Sequence, residues 1–208
     1  MQLTNANTAG HIVVLASGSG SNLQTLLDVS SDEWAVVGVV SDRPGSGALE
    51  RAARANVPTR TVRWRDYPDR EAFTEGICAR IAEFDPGLIV LAGFMRVLGP
   101  AAVRRWPNRI VNVHPSLLPA FPGAHAVRDA LDHGVKVTGV TIHFVDEQLD
   151  HGPIIRQEAV DVLPDDNEDS LHRRIQTVEH RLLPEVVASL VGGEYDVSGR
   201  IVKGRVTA

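Results

Sequence analysis

Short, unbroken apolar runs separated by longer stretches of helical period constrain this chain more than any single residue does. Ile12–Ala16 (IVVLA), Trp34–Val40 (WAVVGVV) and Leu88–Ala92 (LIVLA) contain no charged or hydroxyl side chain. Strands of that kind are apolar on both faces, which suits a parallel sheet covered by helices. The segments between them have helical spacing. Leu23–Val29 carries Leu23, Leu26 and Leu27, Ala48–Ala55 is rich in alanine and arginine, and Glu71–Glu83 sets Phe73, Ile77 and Ile81 four apart. A short strand is predicted near Thr59–Val62, and Asp85-Pro86-Gly87 turns the chain into Leu88–Ala92.

The second half changes character. Arg109–His114 (RIVNVH) reads as a strand ended by Pro115, and Ala126–His133 as a helix. Thr138–Val145 and Pro153–Val160 are strands whose short connection predicts an antiparallel pair. A long helix follows from about Ser170 to Leu190, with Leu171, Ile175, Val178, Leu182, Val186 and Leu190 as its apolar stripe and Asn167 as its N-cap. The prediction is an α/β fold, a mostly parallel twisted sheet with helices on both faces and an antiparallel C-terminal portion.

Composition excludes several classes. The 208 residues are 43% hydrophobic, enough to bury one sizeable core. Twenty-one basic against 26 acidic residues leave a net charge of −5, which argues against sequence-independent nucleic-acid binding. Cys78 is the single cysteine, so neither an internal disulfide nor a multi-thiolate zinc site can form. Residues 1–10 lack the basic and apolar regions of a secretory signal, and no apolar run approaches the ~20 residues of a bilayer span. The expectation is a soluble, cytoplasmic protein without membrane or nucleic-acid partners.

Two segments carry chemistry. Strand, Ser17-Gly18-Ser19-Gly20-Ser21-Asn22, helix is the layout of an anion site, with glycines admitting a ligand to the backbone and first-turn N–H groups aimed at it. No lysine follows, so this is not a Walker A loop. It matches a dinucleotide fingerprint only in Gly18 and Gly20, Leu23 standing at the third position. Asp42 falls about where a ribose-binding acid would, which leaves a nucleotide- or NAD-binding protein open beside the better-fitting monophosphate and a ligand-free turn. Farther on, Asn112 and His114 project from one face of a strand, at the carboxyl end where open α/β sheets take ligands. An amide and an imidazole side by side can stabilise an oxyanion and move protons. A carboxylate at Asp150 would favour the charged imidazole. Taken alone, His114 reads more readily as a structural or surface histidine than as a catalytic one, and Asp150 more readily as a turn residue before His151-Gly152. His143, alternating with Ile142 and Phe144, reads as a hydrogen-bonded core histidine, Cys78 as packing, His125 as lying near the cleft, and His172 and His180 as partly exposed.

Ser17–Asn22 (SGSGSN), Leu91–Leu98 (LAGFMRVL), Asn112–Pro119 (NVHPSLLP), Phe121-Pro122-Gly123 and Thr138–Pro153 (TGVTIHFVDEQLDHGP), in that order, closely resemble the phosphoribosylglycinamide formyltransferase family of de novo purine synthesis. The resemblance implies a Rossmann-like formyltransferase fold in one domain over 11–190, its N-terminal half binding the nucleotide phosphate and its C-terminal half binding folate and carrying catalysis. Residues 1–10 would be a flexible extension and 191–208 a tail without assigned role. It implies formyl transfer from 10-formyltetrahydrofolate, a co-substrate, to the amine of glycinamide ribonucleotide, without a metal. By matching position, Asn112, His114 and Asp150 are the catalytic trio. Gly20, Ser21, Asn22, Gln176 and Glu179 bind the nucleotide, and Arg70, Met95, Arg96, Val97, Leu98 and Asn112 serve the folate. A solvated helix face is the alternative for Gln176 and Glu179. The sequence leaves room for a homodimer. The nearest rival is hydrolysis of formyltetrahydrofolate by the same residues, although no N-terminal regulatory domain precedes the first strand. A methionyl-tRNA formyltransferase would need more chain at the C-terminus.

Overall fold

The computed structural model describes residues 8, 10–193 and 195–204, divided between two compact units, Met1–Val111 and Asn112–Ala208. The extension expected over residues 1–10 falls mostly outside the described residues.

In the first unit, β1 (His11–Leu15), β2 (Ala35–Ser41), β3 (Thr59–Thr61) and β4 (Leu88–Leu91) pair in the parallel sense in the order β3-β2-β1-β4. β1 is flanked on both sides, and Ile12 to Leu15 are wholly excluded from solvent. That is why its sequence shows no alternation. β3 has a neighbour on one side only among these four, and its TRT sequence is correspondingly polar. Helices α1 (Ser21–Asp28), α2 (Gly47–Arg54), α3 (Arg70–Ala82) and α4 (Pro100–Arg105) belong to the same unit. α3 starts where Asp69 accepts the Ala72 N–H at 2.7 Å, and it buries Phe73, Ile77, Ile81 and Cys78. Burial pushes the Cys78 thiol up to about 11, so it stays protonated and serves as packing. α4 and a 3-10 turn at Trp64–Asp66 are absent from the sequence reading, since six and three residues are too few to display a period.

The second unit takes in the end of β5 (Ile110–His114), with β6 (Val137–Phe144), β7 (Ile154–Asp161), β8 (Tyr195–Ser198) and β9 (Ile201–Gly204), in the order β5-β6-β7-β9-β8. β6 and β7 pair antiparallel, as their short connection predicts. β9 runs parallel to β7 and antiparallel to β8. This hairpin lies in the segment left without a role from sequence. Its strands are mostly exposed and are defined by pairing with each other and, through Ile201, with β7.

Helices α5 (Ala126–Asp132) and α6 (Glu168–Val191) complete the unit. α6 begins in a capping box in which Ser170 N–H donates to Asn167 Oδ1 and Asn167 N–H donates to Ser170 Oγ, both at 2.9 Å. Its buried face is wider than the predicted stripe. Glu179, Leu183 and Val187 are buried, whereas Val178 is half-exposed. The fold is α/β with a mostly parallel, mixed sheet, as read from the sequence. Among the described residues no helix is long and apolar enough to cross a membrane.

Replacing Asn167 by alanine removes the acceptor for the Ser170 N–H and leaves the backbone N–H that donates to Ser170 Oγ, so Asn167→Ala should cost about 1 kcal/mol. For a chain of this size that corresponds to a fall in Tm of about 2–4 °C, read by thermal unfolding; an unchanged Tm would show that the box adds nothing.

Candidate active site

Asn112 and His114 share one face of β5, and Pro115 keeps the backbone at His114 extended. The His114 ring is buried. Its Nε2 lies 2.8 Å from the Phe121 carbonyl, and because a carbonyl oxygen only accepts, Nε2 carries a proton. Nδ1 faces Asp150 Oδ2 at 3.6 Å, close enough for charge attraction but beyond a hydrogen bond. The segment bearing Phe121 is tied down locally, with Ser116 Oγ donating to the Ala120 carbonyl at 2.6 Å.

Asp150 reaches this cluster from the β6–β7 connection. Its backbone is left-handed, φ 49°, a conformation aspartate tolerates better than most side chains. Gly152 makes the approach possible: a Cβ there would stand 1.8 Å from the Phe144 carbonyl oxygen. The carboxylate accepts the Gly123 N–H at 2.7 Å through Oδ2 and the Asn112 Nδ2–H at 3.4 Å through Oδ1. Thus Asn112, His114 and Asp150, up to 38 positions apart in sequence, meet within hydrogen-bonding or charge-pairing distance.

A fourth side chain belongs to the cluster. His143 on β6 is 2% exposed; its Nδ1 donates to the Phe144 carbonyl at 2.8 Å, and its Nε2 lies 3.2 Å from Asn112 Nδ2 and 3.9 Å from Asp150 Oδ1. The sequence reading of a hydrogen-bonded core histidine describes its burial but misses its partner. The missing signal was the pairing of β5 with β6, which sequence periodicity does not specify. Desolvation lowers the His143 pKa, outweighing the upward pull of the Phe144 carbonyl and of Asp150. His125, by contrast, is an exposed residue at the start of α5.

In the first unit the glycine-serine loop precedes α1. Gly20 is left-handed at φ 74°, and a Cβ on it would lie 2.6 Å from the Ala48 Cα, so only glycine fits. No side chain caps α1 and its first turn holds no acid, which leaves an electropositive helix start beside Ser21 and Asn22. Arg51 braces the loop by donating to the Ser19 carbonyl and to Gln24 Oε1, each at 2.9 Å. Asp42, the candidate ribose acid, is fully buried and paired with Arg96 at 2.9 Å. Arg96 engages Oδ2 and the side chain is closed off from solvent, which counts against its use as a ribose-binding acid. Arg96 also lies over the Trp64 ring, 5.3 Å from its centroid. Its neighbours Met95 and Val97 are exposed and Leu98 is half-buried in the same irregular segment after β4. Arg70 is exposed and pairs with Glu71 at 3.1 Å. On α6 of the second unit, Gln176 is half-buried and Glu179 buried, which does not fit a solvated face. Among the described residues no group of three or more His, Cys, Asp or Glu is placed to hold a metal ion.

Residues 10–187 match the model of a family described as formyl transferase. The chain is 50% identical over 191 residues to a phosphoribosylglycinamide formyltransferase of Mycobacterium tuberculosis, covering 91% of this chain and 88% of that protein. It is 45% identical over 195 residues to the trifunctional purine biosynthetic protein adenosine-3 of Drosophila melanogaster, where the match covers 91% of this chain and 14% of that much longer protein. Its structure superposes on a crystal structure of glycinamide ribonucleotide transformylase 1 from Symbiobacterium toebii with a TM-score of 0.90, 45% identity and 93% of each chain covered.

Burial of a neutral His143 makes stability pH-dependent. In the unfolded chain the ring titrates near ~6.5. Between that value and its lower folded pKa the unfolded chain binds more protons, so stability is retained above ~6.5 and falls as the pH drops below it. Urea unfolding at intervals from pH 7.5 to 5.5 (roughly spanning the free-histidine range) should show that decline. His143→Gln, which takes up no proton, should flatten it, and parallel slopes in the two proteins would mean that His143 does not charge on unfolding.

Proposed function

The chain belongs to the formyl transferase family, and from that premise we propose that it transfers the formyl group of 10-formyltetrahydrofolate to the amine of glycinamide ribonucleotide, yielding formylglycinamide ribonucleotide and tetrahydrofolate. One observation carries the proposal: an amide donor, an imidazole and a carboxylate converge at Asn112, His114 and Asp150 in a chain half identical to a protein of that name.

The amine lone pair attacks the formyl carbon, the carbonyl electrons move onto oxygen, and collapse breaks the bond to the folate nitrogen. The attacking nitrogen loses a proton and the leaving nitrogen gains one. Asn112 Nδ2 is the donor for the developing oxyanion. Its contact with His143 is the shorter of its two, and the 3.4 Å contact with Asp150 is the weaker and exchanges for the formyl oxygen. With Nε2–H of His114 engaged by the Phe121 carbonyl, Nδ1 is the ring nitrogen available to the reaction, either donating to the oxyanion when protonated or relaying the transferred proton. Asp150 orients that ring, its Oδ2 lying 3.6 Å from Nδ1.

For binding, the Gly20–Asn22 turn and the uncapped start of α1 accept the ribosyl phosphate. Gln176 and Glu179, three apart on α6 of the second unit, are assigned to polar groups of the substrate. Met95 and Val97 offer apolar surface to the folate ring, with Leu98 beside them and the Arg96 guanidinium held in place by Asp42. Arg70 is assigned to the acidic tail of the folate, exchanging Glu71 for it.

Purified protein should release tetrahydrofolate, followed by its absorbance, only when glycinamide ribonucleotide is present. Release at the same rate without that acceptor would instead identify a hydrolase. His114→Ala and Asp150→Asn should each lower kcat by about 10²-fold or more while nucleotide affinity changes little. Turnover at the parental rate in either variant would remove that residue from the chemistry.

A further inference from the structure

Formyl transfer needs the nitrogen of Asn112, and nothing in a carboxamide makes its nitrogen rather than its oxygen face a given direction, because the two ends have almost the same shape. The neighbours must choose. From its hydrogen bonds we infer that His143 is a positioning residue: with Nδ1–H donated to the Phe144 carbonyl, its Nε2 is obliged to accept, and it thereby holds the amino end of Asn112 in the site.

The choice is enforced at both ends of the imidazole. The Phe144 carbonyl has no proton to offer, so the 2.8 Å contact fixes hydrogen on Nδ1 and leaves the lone pair on Nε2. Asn112 Nδ2 lies 3.2 Å from that lone pair. Turning the carboxamide over would set its oxygen against the lone pair and against Asp150 Oδ1, two acceptors facing a third. In a site this dry such an arrangement leaves polar atoms unpaired and is strongly disfavoured. The device is sensitive to pH, since a protonated Nε2 would donate and would attract the oxygen end instead. The charged and titratable groups that act on the ring are Asp150 and Asp146 from the β6–β7 connection and His114 from β5, the carboxylates favouring protonation and His114 opposing it. Burial opposes it most, so the acceptor form prevails at neutral pH.

The role given to the amide nitrogen rests on the formyl-transfer proposal, whereas the hold on Asn112 does not, and the two are tested separately. In 15N-labelled protein at neutral pH, a long-range 15N–1H correlation should place the His143 proton on Nδ1, and a coupling across the hydrogen bond should link Asn112 Nδ2 to His143 Nε2. A proton on Nε2, or no coupling, overturns the inference whether or not the enzyme transfers formyl groups. Kinetics adds a second arm. His143→Leu keeps the bulk and removes the acceptor, and should lower kcat by about 10²-fold with KM within about threefold of the parent. His143→Gln supplies an amide oxygen at similar reach and should restore kcat to within about fivefold of the parent while losing the acid limb of its pH profile that belongs to His143. A Gln variant as slow as the Leu variant, or a Leu variant as fast as the parent, also overturns it. Should the Leu variant not fold, the labelled parent and the Gln variant decide the question.

Discussion

Asp150 holds the site together. Its side chain is only 9% exposed, and a carboxylate so far removed from water must be met by donors or opposite charge. It meets four groups: the Gly123 N–H at 2.7 Å, the Asn112 amide at 3.4 Å, His114 Nδ1 at 3.6 Å and His143 Nε2 at 3.9 Å. Those groups come from β5, β6 and the Phe121–Gly123 segment. One buried charge therefore sets the mutual geometry of three parts of the chain. The backbone accommodates it through the left-handed Asp150 and through Gly152, whose missing side chain lets the connection lie against the Phe144 carbonyl.

The polar groups around that charge form a directed network. Two backbone carbonyls, those of Phe121 and Phe144, can only accept, and each assigns a proton to one nitrogen of a different histidine. His114 is left with Nδ1 toward the carboxylate, and His143 with a lone pair toward Asn112. The same residue type thus has opposite tasks on neighbouring strands. The first unit presents a different arrangement, an uncapped helix start, a left-handed Gly20 pressed against Ala48, and Arg51 bracing the turn from outside, to which the proposed function assigns the phosphate.

Much of this was legible in the amino-acid sequence wherever one element could reveal itself by its own pattern. The β1 and β4 runs show burial on both faces, Phe73, Ile77 and Ile81 show the inner side of α3, and Asn167 announces the start of α6. α4 was too short to have a period, and the β8–β9 hairpin has so little buried apolar surface that only strand pairing, within the hairpin and to β7, marks it. Asp42 shows the limit from the other side. Its spacing after the glycine loop suggested a ligand, but the side chain is buried and its Oδ2 is paired with Arg96, 54 positions later.

By itself the sequence determined the α/β class, the antiparallel β6–β7 pair, the anion-site layout of the glycine loop and the shared face of Asn112 and His114. These follow from periodicity, turn chemistry and backbone stereochemistry, all of which act over a few residues. Tertiary structure alone decided that Asp150 meets both of them, that His143 faces Asn112 instead of merely filling the core, and that Glu179 is buried. Those outcomes depend on strand pairing and on which donors a desolvated carboxylate can reach. Such contacts join residues 31 and 38 positions apart, and no local pattern encodes them.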